Sequence, residues 1–248
     1  MLTVLAHTFG SDSPLTAIHD IVSTMVEASR ADIHGALAEP HRLAIVDALA
    51  LEDLSPTEIG ARTGLASNLL AHHLSVLEAS TVARRRRSDG DGRRAYLTLA
   101  WDNPVVAASA AQGLSPAGAR VVFVCSGNTA RSQFAASQFA NRLGATHANL
   151  AVASAGTRPG SAIHPLALAE LRARGLATLG PGPASAADVL GPDDIVVAVC
   201  DNAYEDLGRA RVALHWSIPD PSTGGPAEFS RAFDDLAPRV ARLADALT

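Results

Sequence analysis

The chain has 248 residues, 48% of them hydrophobic and 4% aromatic, with a formal net charge of −5 at pH 7. That supplies one large or two ordinary packed cores, and the acidic balance excludes indiscriminate nucleic-acid binding by the molecule as a whole. No apolar run reaches the roughly 20 residues of a membrane helix, and MLTVLAHTFGSDSP lacks the basic start and cleavage pattern of a leader, so the expected address is cytoplasmic with no membrane partner.

Only Cys125 and Cys200 are present, too few for a disulfide scaffold, so each reads as a free thiol available for chemistry. All 20 basic side chains are arginine, and four of them form the run Arg84, Arg85, Arg86 and Arg87, followed by Arg93 and Arg94. Local charge therefore departs from the acidic mean.

In chain order, Ile18, Ile21, Val22, Met25 and Val26 put an apolar stripe on a helix over 15–29 that needs a partner. A second helix is expected from Pro40 to Leu51, with Leu43, Ile45, Val46 and Leu49 buried. A third opens at Ser55-Pro56-Thr57-Glu58, where Ser, Pro at the first helical position and Glu three after Ser form a capping box. Thr63-Gly64-Leu65 breaks the pattern before a further helix through Leu69, Leu70, His73, Leu74 and Leu77, as in a helix-turn-helix. Residues 82–99 read as a β-hairpin wing around Ser88-Asp89-Gly90-Asp91-Gly92. Residues 101–118 read as a linker, or as a short helix plus linker.

Beyond it, Arg120 to Val124 form an apolar strand leading into Cys125, with a helix from Ser132 to Leu143. Strands at 150–154, 195–200 and 212–215 alternate with helices at 165–175 and 226–247, which implies a parallel sheet covered on both faces.

In VVFVCSGNTARS, a Cys at the strand end is followed by five loop residues, Ser126, Gly127, Asn128, Thr129 and Ala130, then by Arg131 and Ser132 at a helix start. Loop N–H groups and the helix N-terminus make a positive cradle for a tetrahedral oxyanion, to which Arg131 adds a bidentate fork. The same field favours thiolate over thiol at Cys125, with Ser132 a further donor.

CSGNTARS resembles the Cys-x5-Arg-Ser loop of the low-molecular-weight protein-tyrosine phosphatases and of the arsenate reductases that share their fold. SAGTRPGSAIHPLALAELRARG (154–175) and HWSIPDPSTG (215–224) extend the likeness over residues 119–248. It implies Cys125 as nucleophile, Arg131 as oxyanion clamp, Ser132 as thiolate stabiliser and Asp220 as general acid. The loop continues Arg131-Ser132-Gln133 rather than Arg-Ser-Pro, Trp216 precedes Asp220-Pro221, and Ser222, Thr223 and Gly224 stand where the phosphatases carry a tyrosine pair. These features favour arsenate over a phosphoester.

Cys200 aligns with the second cysteine of the three-cysteine reductases, but DNAYEDLG after it holds no third. Electrons are then expected from an external thiol (glutathione or mycothiol with a redoxin, or thioredoxin), or through Cys200 as a candidate resolving thiol. No bound cofactor is expected. His164 and His215 read as structural.

Residues 15–100 resemble the ArsR-type winged-helix repressors, with ALAEPHRLAIVDAL and His72-His73-Leu74 where that family's recognition helix reads Ser-His-His-Leu. The resemblance implies an operator-DNA partner and a homodimer, with Ser67, Asn68, His72 and His73 in the major groove and Arg84, Arg85, Arg86, Arg87 and Arg93 on phosphates or the minor groove. Adjacent His72 and His73 point to different helix faces and do not share a metal, and no metal is expected. The expected fold class is α/β: an N-terminal winged helix-turn-helix plus a C-terminal parallel-sheet domain of low-molecular-weight phosphatase type. Three functions stay open: arsenate reductase, phosphatase, and a non-catalytic oxyanion-responsive regulator.

Overall fold

The computed structural model describes residues 30–109, 120–146 and 150–247. The apolar stripe at 18–26 and residues 110–118 of the expected linker lie outside the described residues.

The N-terminal module begins with helix α1 (residues 30–37), followed by α2 (Pro40–Ala48), α3 (Pro56–Thr63) and α4 (Ser67–Ala79). Local chemistry sets the ends. Glu39 caps α2, accepting the Arg42 N–H at 2.9 Å, and Pro40 enters at the first turn. The capping box at α3 is present: the Ser55 hydroxyl accepts the Glu58 N–H at 3.3 Å and Glu58 accepts the Ser55 N–H at 2.8 Å. Gly64 ends α3 at φ +70, where any side chain would be strained. The wing pairs β1 (Ala83–Arg87) with β2 (Ala95–Leu99) antiparallel, Ala83 opposite Leu99, and Leu54 bridges Leu97. Ile45, Leu49, Leu54, Leu74, Leu77 and Leu97 are buried in its core. Part of the expected linker is helical, as α5 (Pro104–Ser109).

The C-terminal domain contains β3 (Arg120–Cys125), α6 (Arg131–Thr146), β4 (Ala151–Gly156), α7 (Pro165–Ala173), α8 (Ala186–Val189), β5 (Ile195–Ala198), α9 (Asp201–Leu207), β6 (Leu214–His215) and α10 (Pro226–Leu247), with a short 3-10 turn at Pro221–Thr223. The sheet order is β4-β3-β5-β6, every pair parallel. Val121, Val122, Phe123 and Val124 are all buried; successive strand residues face opposite ways, so both faces of β3 are covered. The strand expected to run to Cys200 stops at Ala198, because Cys200 caps α9: its Sγ accepts the Ala203 N–H at 3.4 Å.

The two modules share an extensive polar seam. Asp53 accepts two contacts from Arg239 at 2.8 Å and the Ser217 N–H at 2.6 Å, and its own N–H donates to His215 O. Trp216 donates its indole N–H to Leu51 O at 2.7 Å. Tyr96 of the wing is 1% exposed and meets His215 edge-on at 4.5 Å, while His215 stacks on Tyr204 at 4.3 Å. Glu58 and Glu52 of the helical module bind Tyr204 and Arg209.

Two DNA-contact expectations are corrected by this packing. Arg86 turns into the seam, bonding Asp201 and donating to Ser217 Oγ at 3.1 Å, so in this arrangement its guanidinium is engaged within the chain and only partly exposed. His73 is 5% exposed, because its position on α4 puts it on the inner helix face beside Leu74 and Leu77. Ser67, Asn68, His72, Arg84, Arg85, Arg87 and Arg93 are exposed; Arg84, Arg85 and Arg93 pair there with Asp102, Glu78 and Asp91.

Candidate active site

The end of β3 delivers Cys125 into the loop, and the loop is shaped from both sides. Asn128 adopts φ +52 and is fully buried, its side chain donating to Ser132 Oγ at 2.8 Å and accepting the Ala184 N–H at 2.9 Å. Gln133 donates to Asn128 O at 3.2 Å. The chain after β4 runs alongside: Thr157, Arg158, Gly160 and His164 donate their N–H groups to the carbonyls of Cys125, Ser126, Gly127 and Thr129. Those carbonyls are thereby turned outward to partners. Cys125 lies opposite Gly156 in the sheet, and a Cβ at Gly156 would sit 2.7 Å from Ser126 O and 2.9 Å from Asn128 N. Only glycine permits this approach, which explains why the Ser-Ala-Gly-Thr segment accompanies the loop.

At the centre, Cys125 Sγ accepts the Asn128 N–H at 3.1 Å and lies 3.1 Å from Ser132 Oγ. The Asn128 N–H is a donor on the sulfur and the Ser132 hydroxyl is within reach to be a second, at the N-terminus of a 16-residue helix. Arg131 is buried and donates to Ile218 O at 3.0 Å and Asp220 Oδ2 at 3.1 Å. Asp220 Oδ1 accepts from Ser222 N–H and Oγ at 3.0 and 2.8 Å. Burial works to raise the Asp220 carboxyl, but Arg131 and the Ser222 donors outweigh it and hold it below the usual carboxylate range.

Cys125, Ser126, Gly127, Thr129, Ala130, Arg131 and Asp220 thus line one cavity of about 200 Å³, together with three residues not assigned from sequence: His164, Ser222 and Phe229. His164, taken as structural, does cap α7, its Nδ1 accepting the Leu166 N–H at 3.2 Å; it also stacks on Phe229 at 4.6 Å and so forms a pocket wall. The pairing spans 65 residues of chain and leaves no local sequence signal.

Ser132 and Asn128 sit beneath the loop rather than on its surface, both fully buried. Cys200 is fully buried too, close enough to Arg131 and Cys125 to interact electrostatically, and burial pushes its thiol up to about 11. It is therefore a neutral thiol at physiological pH.

The chain is 29% identical over 102 residues to a transcriptional repressor SmtB homolog of Synechocystis sp. (strain ATCC 27184 / PCC 6803 / Kazusa), covering 38% of this chain and 74% of that protein. Among solved structures it is similar to a YwlE mutant from Bacillus subtilis (22% identity, 51% of this chain and 96% of that one, TM-score 0.46). It is also similar to a low molecular weight protein tyrosine phosphatase from T. tengcongensis (23% identity, 52% and 99%, TM-score 0.47). No helix among the described residues is long and apolar enough to cross a membrane. Residues 120–248, more than half of the chain, match the family model for low molecular weight phosphotyrosine protein phosphatase, and the chain belongs to that family.

Proposed function

We propose that the C-terminal domain is a thiol-dependent arsenate reductase. The observation that carries this reading is the pocket itself: about 200 Å³, walled by Ser126, Thr129, Ser222 and the His164–Phe229 stack, and closed over Arg131 by Asp220. It accommodates a bare tetrahedral oxyanion, and Ser222, Thr223 and Gly224 follow Asp220-Pro221 where a tyrosine pair would grip an aryl ester. The Cys125 thiolate attacks arsenic, an As–O bond breaks, and the departing oxygen takes the Asp220 proton and leaves as water. An external thiolate then attacks Cys125 Sγ. The S–As electron pair passes to arsenic, As(V) becomes As(III), and arsenite leaves with Cys125 in a mixed disulfide that a redoxin reduces.

The donor is assigned to glutathione or mycothiol with a redoxin, or to thioredoxin, in preference to Cys200, which is neutral and enclosed. The N-terminal module is assigned to operator DNA, as a homodimer in the cytoplasm, with Ser67, Asn68 and His72 at the exposed face of α4; the likeness to an SmtB homolog and the winged-helix fold support this. A phosphoester hydrolase is the second reading, favoured by the lack of a third cysteine. Mass spectrometry of protein incubated with arsenate and the small thiol separates the two. The reductase leaves one thiol adduct on Cys125 that depends on arsenate, and an unmodified Cys125 under every thiol rules it out.

A further inference from the structure

Away from Cys125, three side chains that the oxyanion chemistry does not use converge at the start of α2. Glu39 and His41 come from its first turn, and His73 reaches them from the inner face of α4. One ligand atom from each lies within 4.8 Å of the others. His41 Nδ1 is 2.9 Å from Glu39 Oε1, while His73 Nδ1 stands 3.5 Å from Glu39 Oε2, too far for a proper hydrogen bond. His73 is the informative member. It is 5% exposed, and neither ring nitrogen has a hydrogen-bond partner. A buried polar group left unsatisfied costs about 1–3 kcal/mol, and native proteins retain few of them without a use.

We propose that Glu39, His41 and His73 bind one divalent transition-metal ion of the Zn²⁺ class. Two imidazoles and a carboxylate are the borderline nitrogen and oxygen donors that such ions prefer, and three protein ligands leave a fourth position for water. Glu39 serves both tasks: Oε2 keeps the Arg42 N–H cap while Oε1 turns to the metal. Metal–ligand bonds of about 2.0–2.2 Å require the donor atoms to close by roughly an ångström, within the reach of side-chain rotation. The exposed His41 carries the mobile ligand and the buried His73 the fixed one. A bound ion would tie the start of α2 to α4. Metal binding itself does not depend on the arsenate reading.

The test is titration of the full chain, freed of metal by chelator and kept reduced without a chelating thiol, with Co²⁺ followed by Zn²⁺. We expect one Co²⁺ per chain with visible d–d absorption, displaced by Zn²⁺. His41→Ala, at an exposed position, and Glu39→Gln, which retains the cap acceptor, should each weaken binding at least about tenfold. Circular dichroism establishes that both variants are folded. Failure to take up Co²⁺, uptake indifferent to His41→Ala, or a sulfur charge-transfer band lost in Cys125→Ser would each overturn the site.

Discussion

The Arg131 guanidinium donates to Asp220 Oδ2 at 3.1 Å, so the proposed oxyanion clamp and the proposed general acid neutralise one another. This pairing, with the Ser222 donors, keeps the Asp220 carboxyl ionised at neutral pH. An incoming oxyanion competes for Arg131 and brings negative charge beside the carboxylate. Both effects would raise its proton affinity, so on the proposed reading the acid is generated where the oxyanion binds.

Asp220→Asn removes that proton source. Formation of the Cys125 adduct, followed by rapid quench, should slow by about 10²–10⁴-fold without vanishing. In the parent protein the rate should fall as pH rises and the acid ionises in the complex, and in the variant this limb should flatten. An unchanged rate places the acid elsewhere.

The two thiols should respond in opposite ways. Cys125→Ser is expected to abolish turnover while retaining oxyanion binding measurable by calorimetry. Cys200→Ala should keep most of the turnover with an external thiol, since a buried group at about 11 is a neutral thiol and a weak nucleophile. Loss of arsenite formation at an intact adduct step in Cys200→Ala would make Cys200 the resolving thiol.

Gly156→Ala tests the loop's packing. Its Cβ would meet backbone atoms at 2.7–2.9 Å, which no rotamer change relieves. The loop must shift, and a displacement of about 1 Å at a catalytic group is worth on the order of 10²-fold in rate. We expect steady-state activity to fall by that order with folding preserved by circular dichroism.

The seam is tested at Asp53. Asp53→Ala leaves Arg239, 8% exposed, without its carboxylate and frees the Ser217 N–H. Removing one partner of a buried ion pair costs about 3–5 kcal/mol. Denaturant unfolding should show that loss, and small-angle scattering should show a more extended particle if the modules separate.

Much of the layout was legible because its signals are local. The Ser55–Glu58 box, the Gly64 stop, the wing around Ser88–Gly92 and the strand running into Cys125 each depend on residues a few positions apart. The seam was not, because Asp53 and Arg239 stand 186 residues apart and an arginine run looks the same whether solvated or docked. Helix α9 was missed because DNAYEDL is polar and its cap is a cysteine, an unusual capping residue. His73 was placed in a DNA groove by likeness of motif, whereas helical phase turns it inward.

Arsenite release by the purified full chain tests the central claim most directly, with glutathione, mycothiol plus redoxin, and thioredoxin supplied separately beside p-nitrophenyl phosphate hydrolysis without thiol. Catalytic arsenite with one donor, lost in Cys125→Ser, is the expected result; ester hydrolysis with no arsenite from any donor would contradict it.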